Sequence, residues 1–265
     1  MPKVEKYGAQ PPIEILRQMM DQGGWYNLKD PKHPFINIVD TLLVCAMGPP
    51  GSGKSFITPR MARHFNTVAF AIFEDSAMKS IFQNILKWFF RVGDFSTEIQ
   101  GMENKIVDAT LNIYKQIQLE LKPTPLKSHY TFNLRDFSKV IQGCCLVTKK
   151  TLETQDKMIR LWAHETTRVL GDRLIDNDDR TWMLTAIQET VRLSFGQNFD
   201  IVFKHLDLDG DSKIDTLDEF RGNLFGDILA AFGLIDRPYE ELLEKDKMIK
   251  AANEALERYN DMAET

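Results

Sequence analysis

The sequence predicts an α/β region followed by an all-helical one. Two apolar runs, Ile36 to Met47 and Thr67 to Phe73, stand on either side of a glycine-rich turn, GPPGSGKS. Short apolar runs bounded by turn residues read as buried strands. From Phe95 onward clear strand signals disappear, and segments with helical periodicity, each of about 10 to 25 residues, follow one another. The two regions are expected to divide at about 93/94, giving 1–93 and 94–265.

Taken in order, Pro11 and Pro12 stand where a helix begins, Ile13, Ile15, Leu16, Met19 and Met20 recur at helical spacing, and Gly23 with Gly24 stops the run. The strand Ile36 to Met47 leads into the glycine-rich turn, and a short helix, Arg60 to Phe65, leads to the second strand. Ser76 is placed to cap a helix whose apolar residues, Met78, Ile81, Phe82, Ile85, Leu86, Trp88 and Phe89, form a face wide enough to bury on two sides. In the helical region Asn133 caps a helix through Gln142, and Ile159, Trp162, Thr166, Val169 and Leu170 mark the buried stripe of another. KPTPLKSHY and the acidic run Asp176 to Asp179 separate helices, and Tyr239 to Met262 reads as a solvated amphipathic helix.

Composition sets the outer limits. With 265 residues, 43% hydrophobic and 27% charged, the chain suits one large or two modest globular domains. Its uncharged apolar runs fall far short of the roughly 20 residues of a membrane helix, so no membrane is expected as a partner. MPKVEKYGAQPP has no apolar core behind a basic start and is not a secretory signal. Three cysteines, Cys45, Cys144 and Cys145, fit neither a disulfide framework nor a zinc spacing, as in a reducing compartment. A net charge of -5 argues against nucleic acid as a partner.

Three motifs carry possible chemistry. Gly48 to Ser55 matches the phosphate-binding pattern G-x-x-x-x-G-K-[ST], in which backbone amides wrap phosphates, Lys54 would reach the terminal ones and Ser55 would hold magnesium. That chemistry needs a helix running on from Lys54, whereas Pro59 would delete a hydrogen bond there and clash with the Ser55 carbonyl at about 3 kcal/mol or more. The acidic strand end that should hold the metal would have to be VAFAIFED, with only 12 residues between it and Ser55. A free-standing ATPase built on Lys54 and Ser55 and a glycine-rich turn of similar spelling both stand, the second favoured. Asp207 to Asp218 places Asp207, Asp209, Asp211 and Asp215 at positions one, three, five and nine of a calcium-binding loop, with Asp218 at twelve. Ser212 replaces the glycine of the sharp turn and Asp218 is shorter than the usual glutamate, so weak calcium binding in a calcium-responsive helical protein competes with a plain acidic loop. Arg60, Arg63 and His64 cluster, and Arg135 follows the capping Asn133. Solvation or pairing with carboxylates is the default for such arginines, and His164 with Arg168 reads as a polar outer helix face.

EKYGAQPPIEILRQ, MGPPGSGKSFITPRMARHFN, PTPLKSHYTFNLRDFSKVIQG and LWAHETTRVLGDRLID, in this order, resemble the third AAA+ module of an axonemal dynein heavy chain, over nearly the whole chain. The resemblance implies a partial AAA+ fold of the P-loop NTPase type: the rear of the large subdomain over 1–93 and the helical lid over 94–265, with Met1 just after the Walker B acids. A strand region deprived of its central neighbours should leave Ile38, Leu42, Val44, Val68, Phe70 and Ile72 poorly sheltered. GPPGSGKS then corresponds to the loop after the fourth core strand, usually GPPGGGRN, so Lys54 stands for an arginine. Arg63, with Arg60 close by, takes the place of the arginine finger, Arg135 that of the sensor II arginine, and Gly48 stands where sensor I asparagine is usual, implying weak or regulatory hydrolysis. The implied function is a piece of the ring of an ATP-driven, minus-end-directed microtubule motor of cilia and flagella, inactive by itself. Its cofactors would be ATP or ADP with Mg2+ in the intact module. Its partners would be the rest of the ring, intermediate and light chains, and the microtubule, in the cytoplasm and the axonemal cytoskeleton.

Overall fold

Pro11 and Pro12 occupy the first turn of α1 (Pro11–Gln22), where a missing N–H costs nothing. Gly23 ends it at φ 75°, its N–H donating to the Met19 carbonyl. The computed structural model describes residues 4–48, 56–71, 73–230, 234 and 236–263. They fall into two compact units, Met1–Ile72 and Phe73–Thr265.

In the first unit the chain turns from Gly23 directly into a hairpin. Strands β1 (Gly24–Tyr26) and β2 (Phe35–Asn37) pair antiparallel, Trp25 opposite Ile36. Gly24 is required there, because a Cβ would collide with the Ile36 carbonyl. The long strand expected over Ile36 to Met47 is therefore only three residues, paired backward, and 38–48 form no ladder. Nor is the strand Thr67 to Phe73 present among the described residues. An extended segment becomes a strand only when a neighbour takes its N–H and C=O groups, and none lies beside these runs among the described residues. Leu42, Val44, Val68 and Phe70 are accordingly 87, 88, 71 and 89% exposed, the lack of shelter that the resemblance implies. Ile38 is half-buried, and Ile72 lies outside the described residues.

The short helix α2 (Pro59–Ala62) begins on Pro59, with Thr58 as its N-cap. The proline thus starts a helix instead of interrupting one, and 56–58 are not helical. GPPGSGKS beyond Gly48, including Lys54 and Ser55, lies outside the described residues.

The second unit is helical around one core. Helix α3 (Asp75–Val92) is preceded by Glu74, not capped by Ser76, which sits inside its first turn. One face, Met78, Phe82, Leu86 and Phe90, is buried, while Ile81, Ile85, Trp88 and Val92 are exposed, so the second apolar face is uncovered. After α4 (Thr97–Gln100), helix α5 (Glu103–Glu120) packs against α3 and receives α6 (Leu134–Cys144) and α8 (Asn177–Thr190). Helix α7 (Gln155–Thr166) runs through the core, and Trp162, fully buried, donates from Nε1 to Thr110 Oγ1 at 3.0 Å. The stripe Ile159, Trp162, Thr166, Val169 and Leu170 is buried, its last part in a π-helical turn, Thr167–Gly171. A second such turn, Val191–Phe195, ends α8. The acids Asp178 and Asp179 occupy the first turn of α8, where negative charge meets the positive end of the helix. Two short helices, α9 (Phe199–Val202) and α10 (Leu217–Phe220), flank the acidic loop. A hairpin of β3 (Phe225–Gly226) and β4 (Glu240–Glu241) precedes α11 (Lys245–Ala263), whose apolar residues Ile249, Leu256 and Tyr259 are exposed. Among the described residues no helix is long and apolar enough to cross a membrane.

Candidate functional site

Arg135 is the second residue of α6, and the start of that helix is held on every side. Asn133 Oδ1 accepts from the Arg135 N–H at 2.9 Å, while Asp136 accepts from the Asn133 N–H at 3.0 Å, a reciprocal capping box. Asp136 is buried and paired with Arg173 at 2.7 Å. Burial pushes its carboxyl up, but Arg173 and the Asn133 amide outweigh this and hold it below the usual carboxylate range. Arg173 also donates to the carbonyls of Thr131 and Val169 and lies over the Phe132 ring at 5.0 Å. The Arg135 side chain takes no part in this frame. It is exposed, and its guanidinium has no hydrogen bond or ion pair among the described residues. The result is a free cation on a fixed backbone.

In the other unit Arg63 follows α2 directly, and the bland expectation of pairing is met: its Nη2 donates to Asp21 Oδ1 on α1 at 2.6 Å. His64 Nε2 lies 3.0 Å from the same oxygen, too poorly aligned for a hydrogen bond. Arg17 holds Asp21 Oδ2 at 2.7 Å. Arg60 reaches Glu14 more loosely, at 3.3 Å. Partial burial pushes the Asp21 carboxyl up, and Arg63, His64 and Arg17 together bring it below its ordinary value. Gly48 is half-buried outside any strand.

The acidic loop is built on aspartate turns. Asp207 accepts from the N–H groups of Gly210 and Ser212 at 2.7 and 3.0 Å, Asp209 from Asp211 at 3.1 Å, and Asp211 from Lys213 at 2.7 Å. Ser212 adopts the left-handed backbone that a glycine would take there, φ 64°. Oxygens of Asp207, Asp209 and Glu219 lie within 4.8 Å of one another, whereas Asp211, Asp215 and Asp218 are outside that group. Asp218 turns instead to Arg221 at 2.6 Å, and Glu219 is engaged by the N–H of Leu208 and by Thr216. Three converging carboxylates fit a calcium ion poorly, since six to eight oxygens are wanted. Calorimetry on the intact chain is expected to give a calcium Kd of roughly 0.1 to 1 mM or no signal. A submicromolar one-to-one site lost in Asp207→Ala would make calcium sensing a function of the chain.

Sequence reasoning missed two acids. Asp21 reads as one solvated residue of an amphipathic helix, with nothing local to mark it as the partner of an arginine 42 residues away. Glu165 is fully buried on α7, accepting from Arg168 at 2.6 Å and from the Tyr239 hydroxyl at 2.6 Å. Gly143 on α6 leaves it room, because a Cβ there would collide with the carboxylate. His164, expected on an outer face, is buried as well, its Nδ1 3.0 Å from the Asn223 carbonyl oxygen. Burial lowers its pKa, against the pull of Glu165. The i,i+3 spacing of Glu165 and Arg168 was the available signal, and it is shared by many surface pairs.

Residues 1–73 match the family model of the P-loop containing dynein motor region, and residues 106–205 match that of the AAA+ lid domain. The chain is 45% identical over 261 residues, 98% of its length, to dynein axonemal heavy chain 12 of Rattus norvegicus. Identity to dynein axonemal heavy chain 12 of Homo sapiens is 42% over 266 residues, 100% of the chain, and to dynein axonemal heavy chain 3 of Mus musculus 43% over 263 residues, 99% of the chain. It spans 8% of the length of the first two and 6% of the third.

Proposed function

The chain belongs to the axonemal dynein heavy chain family, and from that premise we propose that it is the nucleotide-responding part of one AAA+ module in a motor ring. In this reading Arg135 acts in cis, lowered by the lid onto the phosphates of a nucleotide held by other parts of the heavy chain. Arg63 acts across the boundary to a neighbouring module. The division into large subdomain and lid would fall near 93/94. ATP or ADP with Mg2+ would be the cofactors of the intact module. Its partners would be the rest of the ring, intermediate and light chains, and the microtubule of an axoneme.

The observation that carries this reading is Arg135: an unpaired guanidinium on a helix start whose backbone is fixed by Asn133, Asp136 and Arg173. A cation used to sense phosphate must be free at its tip and rigid at its base, because binding energy is otherwise lost in ordering it. The same fixed base lets phosphate contact turn the whole lid, which is how a local charge becomes a domain movement.

The test is Arg135→Ala in a dynein heavy chain motor that carries this segment. Microtubule release by ATP should need about tenfold more nucleotide, a loss of about 1.4 kcal/mol of coupling. Unchanged release, hydrolysis and ring movement would remove the role. The rival ATPase reading is tested on the 265-residue chain. Micromolar ATP affinity abolished by Lys54→Ala would establish it, whereas the start of α2 at Pro59 leads us to expect no appreciable binding or turnover.

A further inference from the structure

Arg63 stands just past a helix of four residues, Pro59–Ala62, which is a single turn and too short to fix the direction of a long side chain by itself. What fixes it is α1, twelve residues long and closed at Gly23. Asp21, in the last turn of α1, holds Arg63 Nη2 on one oxygen and Arg17 Nη1 on the other, at 2.6 and 2.7 Å. Arg17 is tied back to Glu14 at 2.8 Å, so the carboxylate is itself immobilised. Its side chain is 23% exposed, that of Arg63 61%. The shielded partner is the acid, and the exposed one is the arginine.

We propose that Asp21 is a positioning residue that presents Arg63 to a phosphate of a neighbouring module. The proposal rests on the reading of Arg63 as the arginine finger. Only Nη2 is engaged, and Nε and Nη1 have no partner among the described residues, so the planar fork keeps donors for a phosphate oxygen while Asp21 sets its plane. Glu14 and Asp21 together face Arg17, Arg60 and Arg63, which leaves the cluster with an excess of cationic groups toward an incoming anion. Among the described residues Arg60 is held only by a 3.3 Å contact to Glu14, without a comparable anchor. A finger held in one orientation before the phosphate arrives avoids the ordering cost at the moment of reaction, and a displacement of about 1 Å at such a group is enough to cost about 10²-fold in rate.

The experiment is a double-mutant cycle in a dynein heavy chain motor carrying this segment, with turnover measured at the site that Arg63 faces. Asp21→Asn is expected to lower kcat by about 10-fold or more with KM within about twofold, and to have no further effect once Arg63 is alanine. An equal loss in the Arg63→Ala background would show that Asp21 acts through groups other than Arg63, and would overturn the proposal. Normal turnover in Asp21→Asn alongside slow turnover in Arg63→Ala would also overturn it while leaving the finger reading intact. Normal turnover in Arg63→Ala would instead sink the finger reading and the proposal with it. Should Asp21→Asn fail to fold, Asp21→Glu, which keeps the charge and moves it by one methylene, takes its place in the cycle under the same criteria. A second measurement uses the 265-residue chain: phenylglyoxal should modify Arg63 several-fold faster in the Asp21 variant, with Arg135 as the unchanged internal reference.

Discussion

Arg63→Ala, in a motor whose ring contains this module, should slow turnover at the neighbouring nucleotide site by about 10³-fold while changing nucleotide affinity far less. Phosphoryl transfer spreads negative charge over the moving group, and a cation that meets this charge only in the transition state lowers the barrier without tightening ground-state binding. The expected factor is the lower end of what arginine fingers contribute. Single-turnover kinetics on the assembled ring separates the two effects. A change confined to affinity, or a larger loss in Arg60→Ala than in Arg63→Ala, would move the role elsewhere.

Glu165→Ala should destabilise the helical unit by about 2 to 3 kcal/mol. The carboxylate has no exposure and serves Arg168 and Tyr239, and its removal would leave those donors facing a cavity beside Gly143. Glu165→Gln, which keeps the shape and one acceptor, should cost about half as much. Urea unfolding followed by far-ultraviolet circular dichroism gives the difference, and a loss under about 1 kcal/mol would mean that the site repacks or hydrates. The pair also has a pH signature. Burial, then the hydrogen bond to Glu165, raise the Tyr239 phenol well above its ordinary value. A group whose folded pKa is raised contributes stability in full below its unfolded value, near 10, and loses it as pH climbs toward the folded one. The stability gap between wild type and Tyr239→Phe should therefore be constant near neutrality and shrink in the alkaline range.

Much of the lid was legible because its signals are local. Asn133 and Asp136 close a capping box within four residues, which marks the start of α6, whereas the freedom of the Arg135 side chain was not legible, since solvation and pairing with a carboxylate were both open. The strained turn at Ser212 was legible for the same reason, since the aspartates around it bond only to amides a few residues away. Ser76 misled because a good capping residue one position inside a helix looks the same in sequence as one at its edge.

The sequence by itself determined the ends of α1 through Pro11 and Gly23, the cap of α6, the buried stripe of α7 and, through its ordered strings, the family. Each depends on the conformational range of one residue or on groups within about one helical turn. Only the tertiary structure decided that 38–48 and 67–71 find no strand partner among the described residues, that Glu165 and His164 are inside, and that Asp21 meets Arg63. Those outcomes turn on which distant segment supplies the opposite hydrogen-bonding edge, the covering side chain or the counter-charge. A residue's own neighbours in the chain carry no record of that, because burial and pairing are properties of two surfaces brought together.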